Sequence, residues 1–382
     1  MLWNAAGQAL AHDQHLSVFT LDDGAGAADG GRTLLESYVD LGHEAAKLRK
    51  SPDPGQVRVV DYPVDPEDHR IPRVLAGTRP VAVLDDKIVR VYFVSSEKEH
   101  HLTEARLEQP DGKWQVHDLG GQPARGTPTA AIMDGTVNIF TAGQDNHLQR
   151  TYLDPESGGW DHQDLHDARD LLAPKQSPAA LVAESTSPVA VVTGDVLRVY
   201  TIANDNRLQE AWLRSKEKWN TCTPADTPQS AMTPTAVVHD GVTSVLTVNR
   251  GDGHLSETRL TPPQASANGT TDARWSVRDL TKDFKVPTPR SAPAALVHGG
   301  TTSLFLVDRN GLLTETKATG DGWAPQDSLA TAGAQRVAEG SEPAVVDHDG
   351  VTRVYTVRRS DGKLQETALR NGAWSTAVVE SG

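Results

Sequence analysis

The chain has a single cysteine, Cys222, in 382 residues, so no disulfide can form within it. Basic residues are also scarce, since 37 Lys and Arg stand against 51 Asp and Glu, for a formal net charge of −14 at pH 7. Nucleic acids and anionic membrane surfaces attract clustered Lys and Arg. The acidic balance therefore argues against nucleic acid and against a membrane as partners.

Long apolar segments are absent too. Residues 1–7 lack the basic start and the apolar run of a secretory signal peptide, and no stretch approaches the roughly 20 apolar residues of a spanning helix. The low lysine content, with abundant alanine and arginine, is similar to that of proteins from high-GC bacteria. We therefore expect a soluble, cytoplasmic bacterial protein.

Sequence signatures of metal and cofactor sites are missing as well. No phosphate loop, EF-hand loop or nucleophile elbow is present. His43-Glu44 begins like a zinc-protease motif, but Lys47 stands where the second ligand is needed. Three histidines follow the first strand of successive copies of the repeat described next, but equivalent positions around a ring lie far apart: His239, His298 and His348. We predict no metal and no cofactor.

What the chain does have is internal repetition, with a unit of about 50 residues. A proline opens the first strand of each unit, and these prolines are spaced by 48, 60, 46, 59 and 50 residues: Pro80, Pro128, Pro188, Pro234, Pro293 and Pro343. A tryptophan opens the fourth strand: Trp114, Trp160, Trp219, Trp275, Trp323 and Trp374. Asp-Gly and Asp-Asn turn signals between short apolar runs predict antiparallel hairpins.

Each copy predicts four strands. Strand one is exemplified by residues 179–182 and 344–346, strand two by Val196–Ile202 and strand three by residues 208–213. One such sheet cannot bury both of its faces, so neighbouring copies must stack, and closure into a ring protects the strand edges. The predicted fold is an all-β, seven-bladed β-propeller of four-stranded antiparallel blades. Six blades plus an N-terminal arm is the alternative.

The whole chain, residues 1–382, is predicted to be a single propeller domain. Its blades 1 to 7 are placed at about 1–73, 74–122, 123–173, 174–228, 229–285, 286–334 and 335–382. Blade 1 lacks the marker tryptophan and carries long insertions at residues 22–31 and 42–73. These insertions either fold over one mouth of the central channel or form solvated loops.

A further pattern lies inside the repeat. Three copies carry Arg-Val-Tyr in strand two and a Glu in strand three: Arg90 with Glu104, Arg198 with Glu210, and Arg353 with Glu366. The other copies have a small or amide residue at the Arg position: Ser17, Asn138, Ser244 and Ser303. Most of these copies keep the acid, as Glu36, Glu257 and Glu315, whereas Arg150 replaces it in one. A guanidinium and a carboxylate together can satisfy adjacent hydroxyl groups of a ligand.

Arg-Val-Tyr, a turn, Leu-x-Glu and a Gly-x-x-Trp-like stretch resemble the fucose-binding lectin propellers of fungi and bacteria. The tandem organisation is similar to that of seven-bladed bacterial propeller lectins, and the resemblance covers most of the chain beyond the first copy. It implies that an Arg and a Glu hydrogen-bond sugar hydroxyls while an aromatic side chain packs on the sugar. Position by position, it implies a site at Arg198, Glu210 and Trp212. The other two pairs have Arg106 and Ala368 in place of the aromatic.

Strand geometry offers a competing interpretation of the pairs. If Asp205-Asn206 is the centre of a two-residue hairpin, Arg198 and Glu210 point to opposite faces of the sheet. A ligand could then reach both only through a longer loop or a bulge, or by binding at the end of the blade. The alternative is an ion pair, or two solvated charges, that recurs because the blade was duplicated.

The sequence leaves three functions open. The first is a lectin-like propeller that binds a glycan or another small ligand through Arg and Glu sites between blades. The second is an intracellular tailoring enzyme, such as a cyclase, isomerase or lyase, with its active site over the central channel. The third is a protein-interaction scaffold.

Overall fold

The computed structural model describes residues 9–12, 15–22, 32–40, 58–61, 73–86, 88–97, 99–108, 115–166, 180–214, 218–230, 232–261, 265–266, 269–270, 274–320, 322–348 and 350–379, to which the account below refers. They form strands, one short helix, α1 (Leu280–Phe284), and one 3-10 turn at Leu329–Ala332. None of the helices described is long and apolar enough to cross a bilayer. Several predicted features lie outside these residues: Trp114, His43, Glu44, Lys47 and most of the two insertions.

The strands are grouped into sheets that follow one another along the chain. The N-terminal sheet contains β1 (Ala9–His12), β2 (His15–Asp22), β3 (Arg32–Asp40), β4 (Arg58–Asp61) and β5 (Arg73–Val74). Blade 2 contains β6 (Val81–Asp85), β7 (Ile88–Val94), β8 (Leu102–Glu108) and β9 (Gln115–Asp118). Blade 3 contains β10 (Ala124–Met133), β11 (Thr136–Gly143), β12 (Leu148–Leu153) and β13 (Trp160–Asp164). Blade 4 contains β14 (Val189–Thr193), β15 (Val196–Ile202), β16 (Leu208–Arg214) and β17 (Asn220–Cys222).

The remaining blades continue the same order. Blade 5 contains β18 (Thr235–His239), β19 (Val242–Val248), β20 (Leu255–Thr261) and, after a separate ribbon of β21 (Ala265–Ser266) and β22 (Gly269–Thr270), β23 (Arg274–Asp279). Blade 6 contains β24 (Ala294–His298), β25 (Thr301–Val307), β26 (Leu313–Thr319) and β27 (Gly322–Ser328). Blade 7 contains β28 (Ala344–His348), β29 (Val351–Val357), β30 (Leu364–Arg370) and β31 (Ala373–Val378).

The six blades numbered 2 to 7 are regular, with four strands hydrogen-bonded in chain order. The N-terminal sheet departs from this plan, because β3 pairs with β5 as well as with β4. The structure therefore corresponds to the six-blade alternative, and the expectation of seven equivalent blades is corrected. The physical reason lies in the first copy, where β3 takes a second partner, β5, so that its sheet has five strands and departs from the four-stranded repeat.

The chain forms two compact units. One comprises Met1–Pro123, Phe305–Glu315 and Asp327–Gly382, and the other comprises Ala124–Leu304 and Thr316–Gln326. Within the second unit the first strands of successive blades pack together, β10 with β14, β14 with β18 and β18 with β24. Within the first unit, β1 packs against both β28 and β6.

Strand two is the most buried strand of a blade. In β7, β25 and β29 every residue except the first is buried. β-branched and aromatic residues fill both faces of these strands, as expected for strands covered on both sides. Strand four is different, since β31 alternates exposed and half-buried residues. The core therefore lies over the inner strands of each blade.

The marker tryptophans lie between neighbouring blades. Trp219 packs edge-on against Phe140 of the preceding blade with 5.7 Å between ring centroids, in a cluster that also buries Leu197. Trp374 repeats this arrangement with Phe305 at 5.8 Å. The aromatic pairs bury large areas in the edge-to-face geometry that aromatic rings favour. Each of these two tryptophans therefore packs its blade against the preceding one.

One predicted strand is misplaced. Strand one of blade 4 is β14, which follows Pro188, and not the apolar run at residues 179–182. Leu181 instead forms an isolated bridge with His147 of blade 3, and its backbone N–H donates to Gln209 Oε1 over 2.9 Å. A short apolar run indicates burial, but it does not distinguish a strand from a buried connection.

Candidate ligand-binding sites

The strand register decides whether the predicted Arg and Glu residues share a face. In blade 4, β15 and β16 pair Arg198 with Trp212 and Tyr200 with Glu210, so all four side chains lie on one face. The predicted two-residue hairpin is wrong. The turn spans five residues between Ile202 and Leu208, and the longer loop shifts the register by one residue.

The turn geometry explains the shift. The backbone N–H of Ala203 donates to the Arg207 carbonyl over 2.9 Å, and the N–H of Asn206 donates to the Ala203 carbonyl over 2.8 Å. Asn206 has a positive φ of 65°, and Asp205 Oδ1 accepts the Arg207 N–H over 3.0 Å. Asn tolerates the left-handed region, and Asp closes a turn with its own side chain. These side-chain contacts stabilise the longer loop.

The blade 4 group is built around Glu210, which is 2% exposed. Its Oε1 accepts hydrogen bonds from Arg198 Nη1 at 2.5 Å and from the Tyr200 hydroxyl at 3.1 Å. Its Oε2 accepts only a weak bond from the Cys222 thiol at 3.5 Å among the described residues. Burial, followed by the charge of Glu210, raises the pKa of Cys222 to about 12. Trp212 lies half-buried beside this group, on the same face.

Blade 2 places its predicted pair in the same way, but deeper. Arg90 donates to Glu104 Oε1 over 2.7 Å and to Asp85 Oδ2 over 2.9 Å. The Tyr92 hydroxyl donates to the same Glu104 oxygen over 3.1 Å. The Arg90 side chain is 6% exposed, against 17% for Arg198. The guanidinium of blade 4 is therefore the more accessible of the two.

The third predicted pair, in blade 7, is looser. Arg353 Nε lies 3.9 Å from Glu366 Oε2, beyond hydrogen-bond distance. The Tyr355 hydroxyl donates to Glu366 Oε2 over 2.8 Å, and Arg370 donates to Oε1 over 2.8 Å. The structure thus brings all three predicted pairs together, each with a tyrosine. Their role toward a ligand stays a prediction.

Blade 3 carries its arginine on strand three, where the other blades have the glutamate. Arg150 on strand three donates to Asn138 Oδ1 on strand two from both Nε and Nη2, at 2.8 and 2.6 Å. Its guanidinium lies 3.9 Å from the centre of the Tyr152 ring. Burial lowers the pKa of Arg150 to about 10, so the group remains charged at neutral pH. A guanidinium is retained here without the acid.

Blade 5 supplies its guanidinium from strand four. Arg278 pairs with Glu257 across β20 and β23, and its Nε and Nη2 donate to Glu257 Oε2 at 3.1 and 2.5 Å. Ser244 donates to Oε1 over 2.6 Å, and Trp323 of blade 6 donates to Oε2 over 3.2 Å. Arg278 was not predicted from the sequence. The signal that identifies it is its place just before Asp279-Leu280, at the end of strand four and opposite the strand-three Glu.

A cavity of about 390 Å³ opens beside this group, between blades 5 and 6. We refer to it as the blade 5–6 cavity. Ser244, Glu257 and Arg259 line it from blade 5, and Thr302 and Trp323 line it from blade 6. Ser244 stands where three other blades carry an arginine. The shorter side chain leaves this space open.

Histidines in the turns between strands two and three contact the Asp residues that end strand four. His147 Nδ1 lies 2.9 Å from Asp164 Oδ2 and 3.1 Å from Asp145 Oδ2. Blade 5 repeats the cluster with Asp252, His254 and Asp279. The ligand atoms of each cluster lie within 4.8 Å of one another, a donor set that suits a divalent cation, although its members already hydrogen-bond one another. The Asp residues that end strand four in these two blades, each followed by Leu, therefore contact histidines of the preceding turn.

No profile of a known protein family matches this chain, and no curated protein sequence matches it. Solved structures do. The BP39L lectin from Burkholderia pseudomallei has a TM-score of 0.68 at 16% identity, over 99% of this chain and 100% of that one. AofleA from Arthrobotrys oligospora has a TM-score of 0.48 at 16% identity, over 79% and 86%. The Aleuria aurantia lectin with α-methyl-L-fucoside has a TM-score of 0.47 at 13% identity, over 86% and 96%.

The likeness to BP39L extends along the whole of both chains. It establishes the all-β propeller fold of antiparallel four-stranded blades. The resemblance to propeller lectins, carried in the sequence by Arg-Val-Tyr and Leu-x-Glu, is confirmed at the level of the fold.

Proposed function

We propose that this protein is a lectin-like, carbohydrate-binding propeller. The observation that carries the proposal is the shared face of Arg198, Tyr200, Glu210 and Trp212 in blade 4, with the guanidinium 17% exposed beside a buried carboxylate. BP39L, whose structure aligns with this chain at a TM-score of 0.68, is a lectin. That likeness supports carbohydrate as the ligand class.

The chemistry of the blade 4 face suits a sugar. A guanidinium donates along two parallel directions, and a carboxylate accepts from hydroxyl groups, so together they match two adjacent hydroxyls. Among the described residues, Glu210 Oε2 receives only the long thiol contact at 3.5 Å, which leaves capacity for a ligand hydroxyl. Trp212 supplies an apolar surface for the C–H groups of the ring. We therefore propose a neutral sugar for this site.

The pairs Arg90–Glu104 and Arg353–Glu366 are proposed as further sites of the same kind. Several weak sites on one chain raise its avidity for a surface that displays many sugars. The repeat positions that line the blade 5–6 cavity favour binding over an enzyme site assembled from the insertions.

Glycan-array binding of the purified chain tests the proposal. We expect binding to neutral sugars that is lost in Arg198→Ala and in Glu210→Ala. Arg207→Ala is the matched control, because Arg207 is an exposed arginine of the adjacent turn, and it should bind as the parent does. The conservative variant Glu210→Gln keeps the shape of the side chain and guards against misfolding. A flat array for the folded parent protein would refute the proposal.

A further inference from the structure

We infer that the blade 5–6 cavity is a second type of site, which binds a saccharide bearing an anionic group such as a carboxylate or a sulfate. This inference extends the proposed function, because it takes the ligand to be a sugar. It differs from the blade 4 site in the charge that the ligand must carry. Three features of the cavity carry it: a buried carboxylate held by the walls, an arginine without a polar partner among the described residues, and walls suited to a sugar ring.

The first feature is that groups of the cavity wall already hold the Glu257 carboxylate. Its Oε2 accepts two hydrogen bonds from Arg278 and one from Trp323, and its Oε1 accepts one from Ser244. Glu257 is also only 2% exposed. In blade 5 the strand-three acid therefore holds the walls together, and recognition falls to other groups.

The second feature is Arg259, two residues beyond Glu257 on β20 and so on the same face. Its side chain lines the cavity and is half-buried, yet no hydrogen bond or ion pair links it to any other residue in the described part of the chain. The charge of Arg278 is balanced by Glu257. The remaining acid of the lining, Asp240, is 90% exposed and faces His239 Nε2 at 3.5 Å. Among the described residues, therefore, no carboxylate pairs with Arg259, which presents its positive charge to the cavity.

The third feature is the rest of the lining. Trp323 provides an aromatic wall, and Ser244, Thr301 and Thr302 provide hydroxyl-bearing side chains from the two blades. A volume of about 390 Å³ lies within the range of small-ligand sites. An aromatic wall and hydroxyl groups suit a sugar ring, and a guanidinium binds carboxylate or sulfate through charge-assisted hydrogen bonds.

Paired probes test the inference. Binding of methyl glucuronide, methyl galacturonide and galactose 6-sulfate is measured by calorimetry against methyl glucoside, methyl galactoside and galactose. We expect at least one anionic sugar to bind about tenfold more tightly than its neutral counterpart, with an affinity that falls as salt rises. Arg259→Gln should abolish this preference. Because no hydrogen bond or ion pair links Arg259 to another described residue, the substitution removes no polar contact within that part of the chain.

Two controls separate the cavity from the blade 4 site. Arg207→Gln removes an exposed arginine elsewhere and should retain the anionic preference, as should Arg198→Ala. If no pair of sugars shows a preference, or if Arg259→Gln keeps it, the inference is wrong, while neutral-sugar binding lost in Arg198→Ala would leave the proposed function standing. If anionic sugars bind through Arg259 and neutral sugars do not bind at all, the inference holds and the blade 4 proposal fails.

Discussion

The indole N–H of Trp374 donates a hydrogen bond to Glu315 Oε2 over 3.2 Å, joining strand four of blade 7 to strand three of blade 6. Trp323 makes the equivalent contact with Glu257, also at 3.2 Å. In blades 5 and 6 the strand-three Glu therefore accepts a hydrogen bond from an indole of the next blade, in addition to its other contacts. This explains why the acid recurs in copies that lack the strand-two Arg, and it makes the arginines the better markers of ligand sites.

We predict that Trp374→Phe lowers the free energy of unfolding by about 1.5–3 kcal/mol. The variant keeps a six-membered aromatic ring at this position but removes a hydrogen bond to a charged acceptor. Trp219→Phe is the matched control. Trp219 packs on Phe140 as Trp374 packs on Phe305, but its indole nitrogen has no partner among the described residues. Urea unfolding should show a clearly smaller loss for Trp219→Phe, and equal losses would contradict the role of the hydrogen bond.

Cys222 serves as a reporter of the blade 4 site. With its pKa raised to about 12, the thiolate fraction at pH 8 is on the order of one in ten thousand, so iodoacetamide should alkylate the native protein slowly. Glu210→Gln removes the neighbouring negative charge and should speed alkylation. Mass spectrometry of timed samples measures the rate. Glu104→Gln, the same change in blade 2, should leave it unaltered, and an unchanged rate in Glu210→Gln would contradict the assigned contact.

The His254–Asp279 contact predicts acid sensitivity. Burial alone would raise the pKa of Asp279, but hydrogen bonds from His254 and from the Lys282 backbone N–H outweigh it, and the pKa is lowered. A carboxyl with a lowered folded pKa stabilises the fold above its unfolded value of about 3.9, and this contribution is lost as pH falls through the folded pKa. Asp279→Asn should therefore destabilise the protein at pH 7, and less so as the pH falls below about 3.9.

This prediction is checked by the urea midpoints of the parent protein and of Asp279→Asn at several pH values. A range of about pH 3 to 7 spans the reference pKa of an aspartate carboxyl. Asn still caps α1, since its side-chain oxygen accepts the same backbone hydrogen bond. The difference between the two proteins thus reports the charge. A difference that stays constant with pH would show that Asp279 acts only through shape.

The strands were predictable from sequence where an apolar run stands between two turns. Val196–Ile202 was predicted as strand two and is β15, because β-branched and aromatic residues between Gly194-Asp195 and Asp205-Asn206 leave few other structures. Residues 179–182 show the limit. Their apolar character reports burial, and the bridge of Leu181 to His147 depends on a neighbouring blade that a local pattern does not reveal.

The candidate sites were predictable in composition but not in geometry. Arg198 and Glu210 could be selected because their spacing recurs with Tyr, but the face they share depends on a turn of five residues rather than two. Arg278 escaped detection because it stands 21 residues after Glu257 in the chain and meets it only through strand pairing. Local patterns identify candidate residues, and the register between strands decides which of them meet.

In blades 2, 3, 4, 5 and 7, strand four places a different side chain opposite the strand-three acid or its replacement: His117, Gln163, Cys222, Arg278 and Ala377. Imidazole, amide, thiol, guanidinium and methyl groups thus occupy equivalent positions on an outer strand, where exchange disturbs little of the packing. Gene duplication gave each copy the freedom to drift independently at this position. If the blades bind sugars as proposed, a change of preference in one blade leaves the other sites intact, so new specificities can arise in such a chain without loss of the old ones.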